Sequence, residues 1–416
     1  MENHPSREII GTKGNELRNK RIALCITGSV AAIRAPELAR LLMRHGCEVH
    51  AVMSAASKVI IHPNVMEWAT GNPVVTELSG KIEHIDLGGK TKGRTDLILI
   101  APSTANTISK IAAGIDDTPV TSVISVAFGS GIPIIIVPAM HECMYRHPIL
   151  VENMKKLRAL DVEFVEPIVE EGKAKIADNE IIVEAVIRRL GGRDLAGRRV
   201  LVTAGPTMEY IDPIRIETNK SSGRMGMAMA LEAYRRGADV TVVGDLEQTN
   251  LPSNISLRRS ETTQEMREAV EKSLESERYD FFIAAAAAAD YAPAEKRPNK
   301  IATKDVPELT LRLVATPKII DRVKEIRPQI FLVGFKAEHD VSDEELLGKG
   351  KRFLRDSKVD LLILNDVGKL GSGFRVMTNE IFIMDRNGEI THVPLASKTE
   401  IAKKVWDKVI ASAQVK

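Results

Sequence analysis

Short apolar runs recur along this chain, most of them followed by a helical pattern and then by another run. In the first half they are Arg21–Thr27, Glu48–Met53, Asp96–Pro102 and Gly131–Met140. In the second they are Arg199–Val202, Ala238–Gly244, Asp280–Ile283, Phe331–Glu338 and Asp360–Asp366. A run that is apolar on both faces reads as a strand buried between helices. Strand–helix–strand units of this length join parallel neighbours. The expected fold class is therefore α/β, with doubly wound parallel sheets. At 416 residues the chain is long enough for roughly two or three domains. Gly191–Arg199 is glycine-rich and charged and reads as a linker. The expected layout is a flexible tail over 1–19, a domain over 20–190, the linker over 191–199 and a second domain over 200–416.

Composition narrows the partners. Net charge is +2, and basic and acidic residues are mixed along the chain, which argues against nucleic acid or a membrane surface as partner. Aromatics at 4% leave few stacking platforms for bases. No run approaches the roughly 20 apolar residues of a membrane span. The opening Met1–Lys20 is polar, unlike a signal peptide. Cys25, Cys47 and Cys143 are odd in number and lack zinc-ligand spacing, which suits a reducing cytoplasm.

Thr203–Gly226 carries the densest punctuation, with Gly205, Pro206, Asp212 and Pro213 favouring a long ordered loop over regular structure. A loop that long inside a domain is usually functional. Its Ser221-Ser222-Gly223 end, with Arg215, Lys220 and Arg224 nearby, suits an anion at a helix N-terminus. A simply capped helix with solvated charges fits those residues equally well.

Gly28, Ser29 and Ser54 fall at strand carboxyl ends, where doubly wound sheets bind ligands. No GxGxxG is present, so a mononucleotide phosphate suits them as well as a dinucleotide. Ser103, Thr104, Ala105 and Asn106 open a helix after the third run, as an anion site or as plain capping. His84 stands alone before that run, as structural histidines more often do. His141, Cys143, Met144, Arg146 and His147 gather at the end of the fourth run, a cluster that packing does not require. In the second half, Asp280–Ile283 leads into Ala284–Ala289 and Asp290. Alanines there let a ligand approach the backbone, or begin a closely packed helix; Asp290 could hold hydroxyls or a metal. Lys296, Lys300 and Lys304 read as a solvated run.

These residues carry a resemblance. His84 within EHIDLG, Ala-Pro-Ser-Thr-Ala-Asn from Ala101, Pro138-Ala-Met-His-Glu-Cys-Met, Gly28-Ser29 and Pro36-Glu37-Leu38 resemble the flavin-dependent cysteine decarboxylases. The second half is similar to phosphopantothenate–cysteine ligase through TAGPT, DPIR, TNKSSGRMG, AAADY, KIATK, TPKI, VGFKAE and ILNDV, in family order. Nearly the whole chain thus resembles the bifunctional enzymes of coenzyme A biosynthesis. The resemblance implies a flavodoxin-like flavoprotein domain followed by a Rossmann-like ligase domain.

For the ligase it implies joining 4′-phosphopantothenate to cysteine through an acyl-nucleotide, with CTP or ATP as nucleotide and Mg2+ on the triphosphate. Asn219 matches the residue at the acyl intermediate, where an amide donates to oxyanion charge, and Arg215 lies on the same loop. Lys300 matches the lysine at the phosphates. Ala284, Ala285, Ala286, Asp290, Thr316, Pro317, Lys318, Ile319 and Phe335 match the nucleotide pocket. Lys351 and Lys358 lie near two further family lysines, with a register that departs from the usual spacing.

For the decarboxylase the resemblance implies FMN, held by Gly28, Ser29, Ser54 and Ser103–Asn106, with His84 as the catalytic histidine. Met144 matches the PxMNxxM methionine. Two departures stand out. His141 replaces that motif's asparagine, and can still donate a hydrogen bond. The flap, Glu171–Ala177, has no cysteine where the family places its proton donor, so Cys143 or Lys175 is the expected source. Two other classes compete: a ligase-only enzyme with a structural FMN domain, and a flavin-binding regulatory subunit. The family pairs trimeric first domains with dimeric second domains, implying a cytoplasmic homo-oligomer.

Overall fold

The apolar runs become the central strands of two separate parallel-stranded sheets. The computed structural model describes residues 4–246, 251–252, 254–302, 304 and 308–414. The chain divides into two compact units, with the break between Gly192 and Arg193.

In the first unit, β1 (Arg21–Ile26), β2 (Glu48–Met53), β3 (Leu97–Ser103), β4 (Ile134–Pro138) and the short β6 (Glu163–Phe164) form one sheet. Its order is β2-β1-β3-β4-β6 and every pairing is parallel. Side-chain alternation along each strand explains why the runs are apolar throughout. Ile22, Leu24, Ile26, Leu97 and Leu99 point into one core, whereas Ala23, Cys25, Ile98 and Ile100 point into the other. Helices on both faces seal the two cores. The helix Ala35–Arg44 carries Pro36 in its first turn, where a missing N–H costs nothing, and a 3-10 turn, Val30–Arg34, precedes it. Beyond the sheet, β5 (Met140–His141) pairs with β8 (Lys173–Lys175), which pairs with β7 (Ile168–Glu170).

The segment expected to be a flexible tail is not one over its described residues. Leu17 is fully buried in the first core. Leu17 N–H donates to the His45 carbonyl at 2.9 Å, Lys13 N–H to that of Arg44 at 2.9 Å, and Arg7 pairs with Glu48 at 2.9 Å. Polarity concealed this, because the segment is held by backbone bonds and one apolar anchor.

The second unit is built on β9 (Arg199–Thr203), β12 (Asp239–Val243), β13 (Ile255–Arg258), β14 (Phe281–Ala284), β17 (Phe331–Glu338), β18 (Leu361–Asp366), β19 (Thr378–Asp385) and β20 (Ile390–Ser397). The order is β13-β12-β9-β14-β17-β18-β19-β20. Pairing is parallel as far as β18 and antiparallel for β19 and β20. The last two strands were not foreseen. β20 is mostly exposed and contains Pro394, as edge strands tolerate, so it lacks the apolar signature of a buried run.

Two shorter pairs decorate this sheet. β10 (Met208–Tyr210) and β11 (Ile216–Thr218) form an antiparallel hairpin, as do β15 (Tyr291–Pro293) and β16 (Leu313–Ala315). The first hairpin lies inside Thr203–Gly226, which is therefore not an irregular loop. The turn is organised by Asp212, whose carboxylate accepts from the N–H groups of Ile214 and Arg215, both at 2.8 Å.

Candidate active sites

A cavity of about 810 Å3 in the second unit lies where β9, β14, β17 and β18 reach their carboxyl ends. β14 stops at Ala284, and the alanines that follow run on as irregular backbone rather than as a helix. They are stitched to the segment after β9. Ala287 N–H donates to the Gly205 carbonyl at 2.9 Å, and Ala289 N–H donates to Thr207 Oγ1 at 2.9 Å. Asn219 spans the gap: its Nδ2 donates to the Ala287 carbonyl at 2.6 Å and its Oδ1 accepts from Ser221 N–H at 3.0 Å. The helix Arg224–Arg235 starts at Gly223, whose φ of +69° suits glycine, and an added Cβ would lie 2.7 Å from Leu246.

The cavity wall brings together Asn219, Ala284, Ala285, Ala286, Asp290, Thr316, Pro317, Lys318, Ile319 and Phe335. Asp290 is ion-paired with Lys318. Arg215, Lys300, Lys351 and Lys358 are not among the lining residues. Arg215 is instead paired with Asp212, which also accepts from Ile301 N–H at 3.2 Å, beside Lys300. Burial pushes the Asp212 carboxyl up, but those backbone N–H groups and the Arg215 guanidinium outweigh it, leaving it well below the usual carboxylate range. From the helix bearing Lys351, the residues that reach the wall are Phe353 and Asp356, followed by Ser357.

Several wall residues were not among the site residues expected from sequence. Lys398, 6% exposed, donates from Nζ to the carbonyls of Gly373 at 3.0 Å and Phe374 at 3.3 Å. Burial and then the nearby Arg224 charge push its pKa down. Lys336, Asn365 and Asn379 also line the wall, as does Glu217, whose Oε2 is buried with no hydrogen-bond partner. The unforeseen β19 and β20 position Asn379 and Lys398, and the hairpin positions Glu217. Lys336 and Asn365 fall within VGFKAE and ILNDV, and only a correct reading of the hairpin, β19 and β20 could have found Glu217, Asn379 and Lys398.

In the first unit, the carboxyl ends of β1 and β3 meet at a cross-link. Thr27 Oγ1 donates to the Pro102 carbonyl at 2.9 Å and accepts from Thr104 N–H at 3.1 Å. Around it Ser29, Ser54 and Thr104 each cap the start of a helical turn. Gly28 cannot carry a side chain, because its Cβ would lie 2.4 Å from that of Ala56. Ser103 Oγ is buried and has no partner, although it sits among capped neighbours. His84, on the short helix Glu83–Gly88, likewise has a buried Nδ1 with no partner. The orphaned Ser103 hydroxyl and the glycine cradle fit a polar ligand at the carboxyl ends of these strands.

His141, Cys143 and Met144 are exposed at and after β5. The flap hairpin lies directly against them: His141 pairs with Lys173, and Glu142 N–H donates to the Gly172 carbonyl at 3.0 Å. Lys175 is held by Glu170 at 2.7 Å and Glu171 at 2.8 Å. Cys25 and Cys47 are buried, and burial pushes the Cys25 thiol up to about 12, so Cys143 is the accessible thiol.

Residues 10–191 match the Flavoprotein family, and residues 195–413 match the DNA/pantothenate metabolism flavoprotein C-terminal domain. The Coenzyme A biosynthesis bifunctional protein CoaBC of Thermococcus kodakarensis is 49% identical over 98% of this chain and 98% of its own length. The chain belongs to the CoaBC family. The CoaBC protein of Methanocaldococcus jannaschii is 36% identical over 98% of this chain and 97% of its own. Among solved structures, the C-terminal domain of a CoaBC protein is 29% identical with a TM-score of 0.44, over 54% of this chain and 100% of that one. As a CoaBC family member, the chain is a two-activity enzyme of coenzyme A biosynthesis, a phosphopantothenoylcysteine decarboxylase and a phosphopantothenate–cysteine ligase. No helix among the described residues is long and apolar enough to cross a membrane.

Proposed function

We propose that the cavity of the second unit activates the carboxylate of 4′-phosphopantothenate with CTP or ATP and then passes the acyl group to cysteine. The observation that carries this reading is the meeting of Asn219, the alanine segment, Asp290, Thr316–Ile319 and Phe335 on one wall. Bare alanine backbone lets a nucleotide lie close, and Lys318 brings positive charge to the phosphates. The triphosphate carries Mg2+ with it and supplies most of its ligands. Lys300, Lys351 and Lys358 would reach the nucleotide only by movement of their segments. Asn219 has two amide hydrogens, and Ala287 takes one. The other is free to donate to the oxyanion as the cysteine amine attacks the acyl carbon. Arg215, fixed by Asp212, braces the hairpin that carries Asn219.

In the first unit, FMN would be held by Gly28, Ser29, Ser54 and Ser103–Asn106, with the orphaned Ser103 hydroxyl as one contact. Bound there, it supplies reversible two-electron chemistry at the substrate thiol, so that decarboxylation involves no net redox change. His84 offers an unpaired Nδ1 for a proton. His141 can donate to the substrate carboxylate beside Met144, and Cys143 or Lys175 stands ready as final proton donor in a flap without cysteine. The whole enzyme works in the cytoplasm as a homo-oligomer, with trimeric first units and dimeric second units.

A single-turnover run with labelled nucleotide tests the ligase reading. Asn219→Asp should accumulate acyl-nucleotide and form amide about 10²–10³-fold more slowly than wild type. Amide formation at the wild-type rate would remove Asn219 from the site. In parallel, folded His84→Asn should lose carbon dioxide release and keep amide formation; loss of both would refute separate sites.

A further inference from the structure

We propose that Glu217 is the base of the ligation: its unpartnered carboxylate oxygen receives the α-ammonium of cysteine and takes the proton that frees the amine to attack. The inference rests on the ligase reading of the cavity and deepens it, by naming the group that prepares the second substrate.

Glu217 and Asn219 stand two residues apart at the end of β11, and both line the cavity. In extended chain that spacing returns two side chains to one face, about 7 Å apart along the strand. In the ligase reading Asn219 meets the acyl group, so a carboxylate beside it faces the attacking nitrogen.

The hairpin register fixes this glutamate in an unfavourable place. Glu217 is paired with Glu209 on β10, like charge directly opposite like charge, which costs stability. Glu209 is compensated. Its Oε1 accepts from Thr263 N–H at 2.9 Å, at the positive start of the helix Thr263–Ser276. Oε2 of Glu217 is buried and accepts from nothing. An acceptor left in that state is costly, and a catalytic role is one reason for a fold to keep it.

No cation of the cavity wall serves it. Lys318 pairs with Asp290, and Lys336 with Glu338 at 3.0 Å. Ser222 Oγ, Arg224 and Lys398 donate to carbonyls of the strap between β18 and β19. The missing partner therefore comes from outside, with positive charge and N–H donors. Phosphopantothenate and the nucleotide are anions, and Mg2+ stays with the triphosphate, whose segments follow β14 and β16. Cysteine alone brings an ammonium.

The step balances. Cysteine arrives with three hydrogens on a nitrogen that has no free electron pair. Glu217 takes one proton, and the pair left behind forms the C–N bond at the acyl carbon while Asn219 donates to the oxyanion. The oxyanion collapses, the bond from the acyl carbon to the nucleotide phosphate oxygen breaks, and the nucleoside monophosphate leaves with its electrons. A second proton passes from the nitrogen to solvent as the amide forms, and nothing is oxidised or reduced.

A chase experiment with the full chain tests this. Enzyme, labelled nucleotide, Mg2+ and 4′-phosphopantothenate are mixed, and cysteine is added once acyl-nucleotide has formed. Glu217→Gln should form acyl-nucleotide at the wild-type rate, which also reports an intact fold. It should pass the acyl group to cysteine about 10²–10⁴-fold more slowly. The deficit should shrink as pH rises, because more cysteine then arrives as free amine. Hydroxylamine, uncharged at neutral pH, should be acylated by the variant at close to the wild-type rate. Glu217→Asp, its carboxylate drawn back by one methylene, should show a smaller deficit, and it carries the test if Glu217→Gln does not fold. Transfer to cysteine at the wild-type rate, or a deficit cured by added Mg2+, would overturn the assignment while the ligase reading stands. A wild-type enzyme that forms no acyl-nucleotide with either CTP or ATP would overturn both.

Discussion

Asn219 shows how much one side chain does before any substrate arrives. Its oxygen and one hydrogen fix the backbone on both sides of the cavity, so its remaining hydrogen is aimed by structure rather than by chance. Asn219 stands in a run of family motifs, and the structure puts it on the cavity wall. Lys398 carries no such signal, because burial and strap carbonyls hold it, which no spacing announces. Glu48 makes the same point for stability. Contact with His50, 3.7 Å from its carboxylate, works against burial together with the guanidiniums of Arg7 at 2.9 Å and Arg21 at 3.3 Å. They lower its pKa from 4.5 to about 2. A carboxyl with a depressed folded pKa contributes stability above its unfolded value and loses it as pH falls toward the folded one. Glu48 should therefore contribute about 1–3 kcal/mol near neutral pH, a contribution lost between about pH 4.5 and 2. Urea unfolding of Glu48→Gln across that range should give a flatter pH dependence than wild type. Equal slopes would mean that Arg7 does not tie its segment to the sheet.

At the scale of elements, periodicity recovered what is apolar and regular. Every central strand of both sheets was legible, because burial on two faces leaves an unbroken apolar run. Elements stabilised otherwise were missed. The β10–β11 hairpin is held by Asp212 and by strand pairing, with little buried apolar surface, and β20 is an exposed edge. The last helix depends on contact more than on its own pattern. Trp406 is fully buried, stacks edge-on to Phe281 at 5.5 Å and bonds to Met229. Removing it leaves a large void where Lys398–Gln414 meets the sheet. Trp406→Ala should cost about 3–5 kcal/mol in urea unfolding of the second unit. A loss below about 1 kcal/mol would show that this helix is not pinned by that ring.

At the scale of the molecule, the break after Gly192 leaves each unit with its own sheet and its own buried clusters. Residues 193–416 made alone should unfold cooperatively, followed by the emission of Trp406, and should retain amide formation. A broad, non-cooperative transition would show that their core is not self-sufficient. Glycine and charge read Gly191–Arg199 as a linker, whereas Leu195, 1% exposed, is buried within that stretch. The strap that gathers Ser222, Arg224 and Lys398 also sets an order of events during translation. Ser222 is made 152 residues before the carbonyl it binds, and Lys398 is made 24 residues after it. The sheet of the first unit is complete once residue 164 has emerged. On the ribosome, the first sheet can therefore form while the strap of the second unit still lacks its last partner.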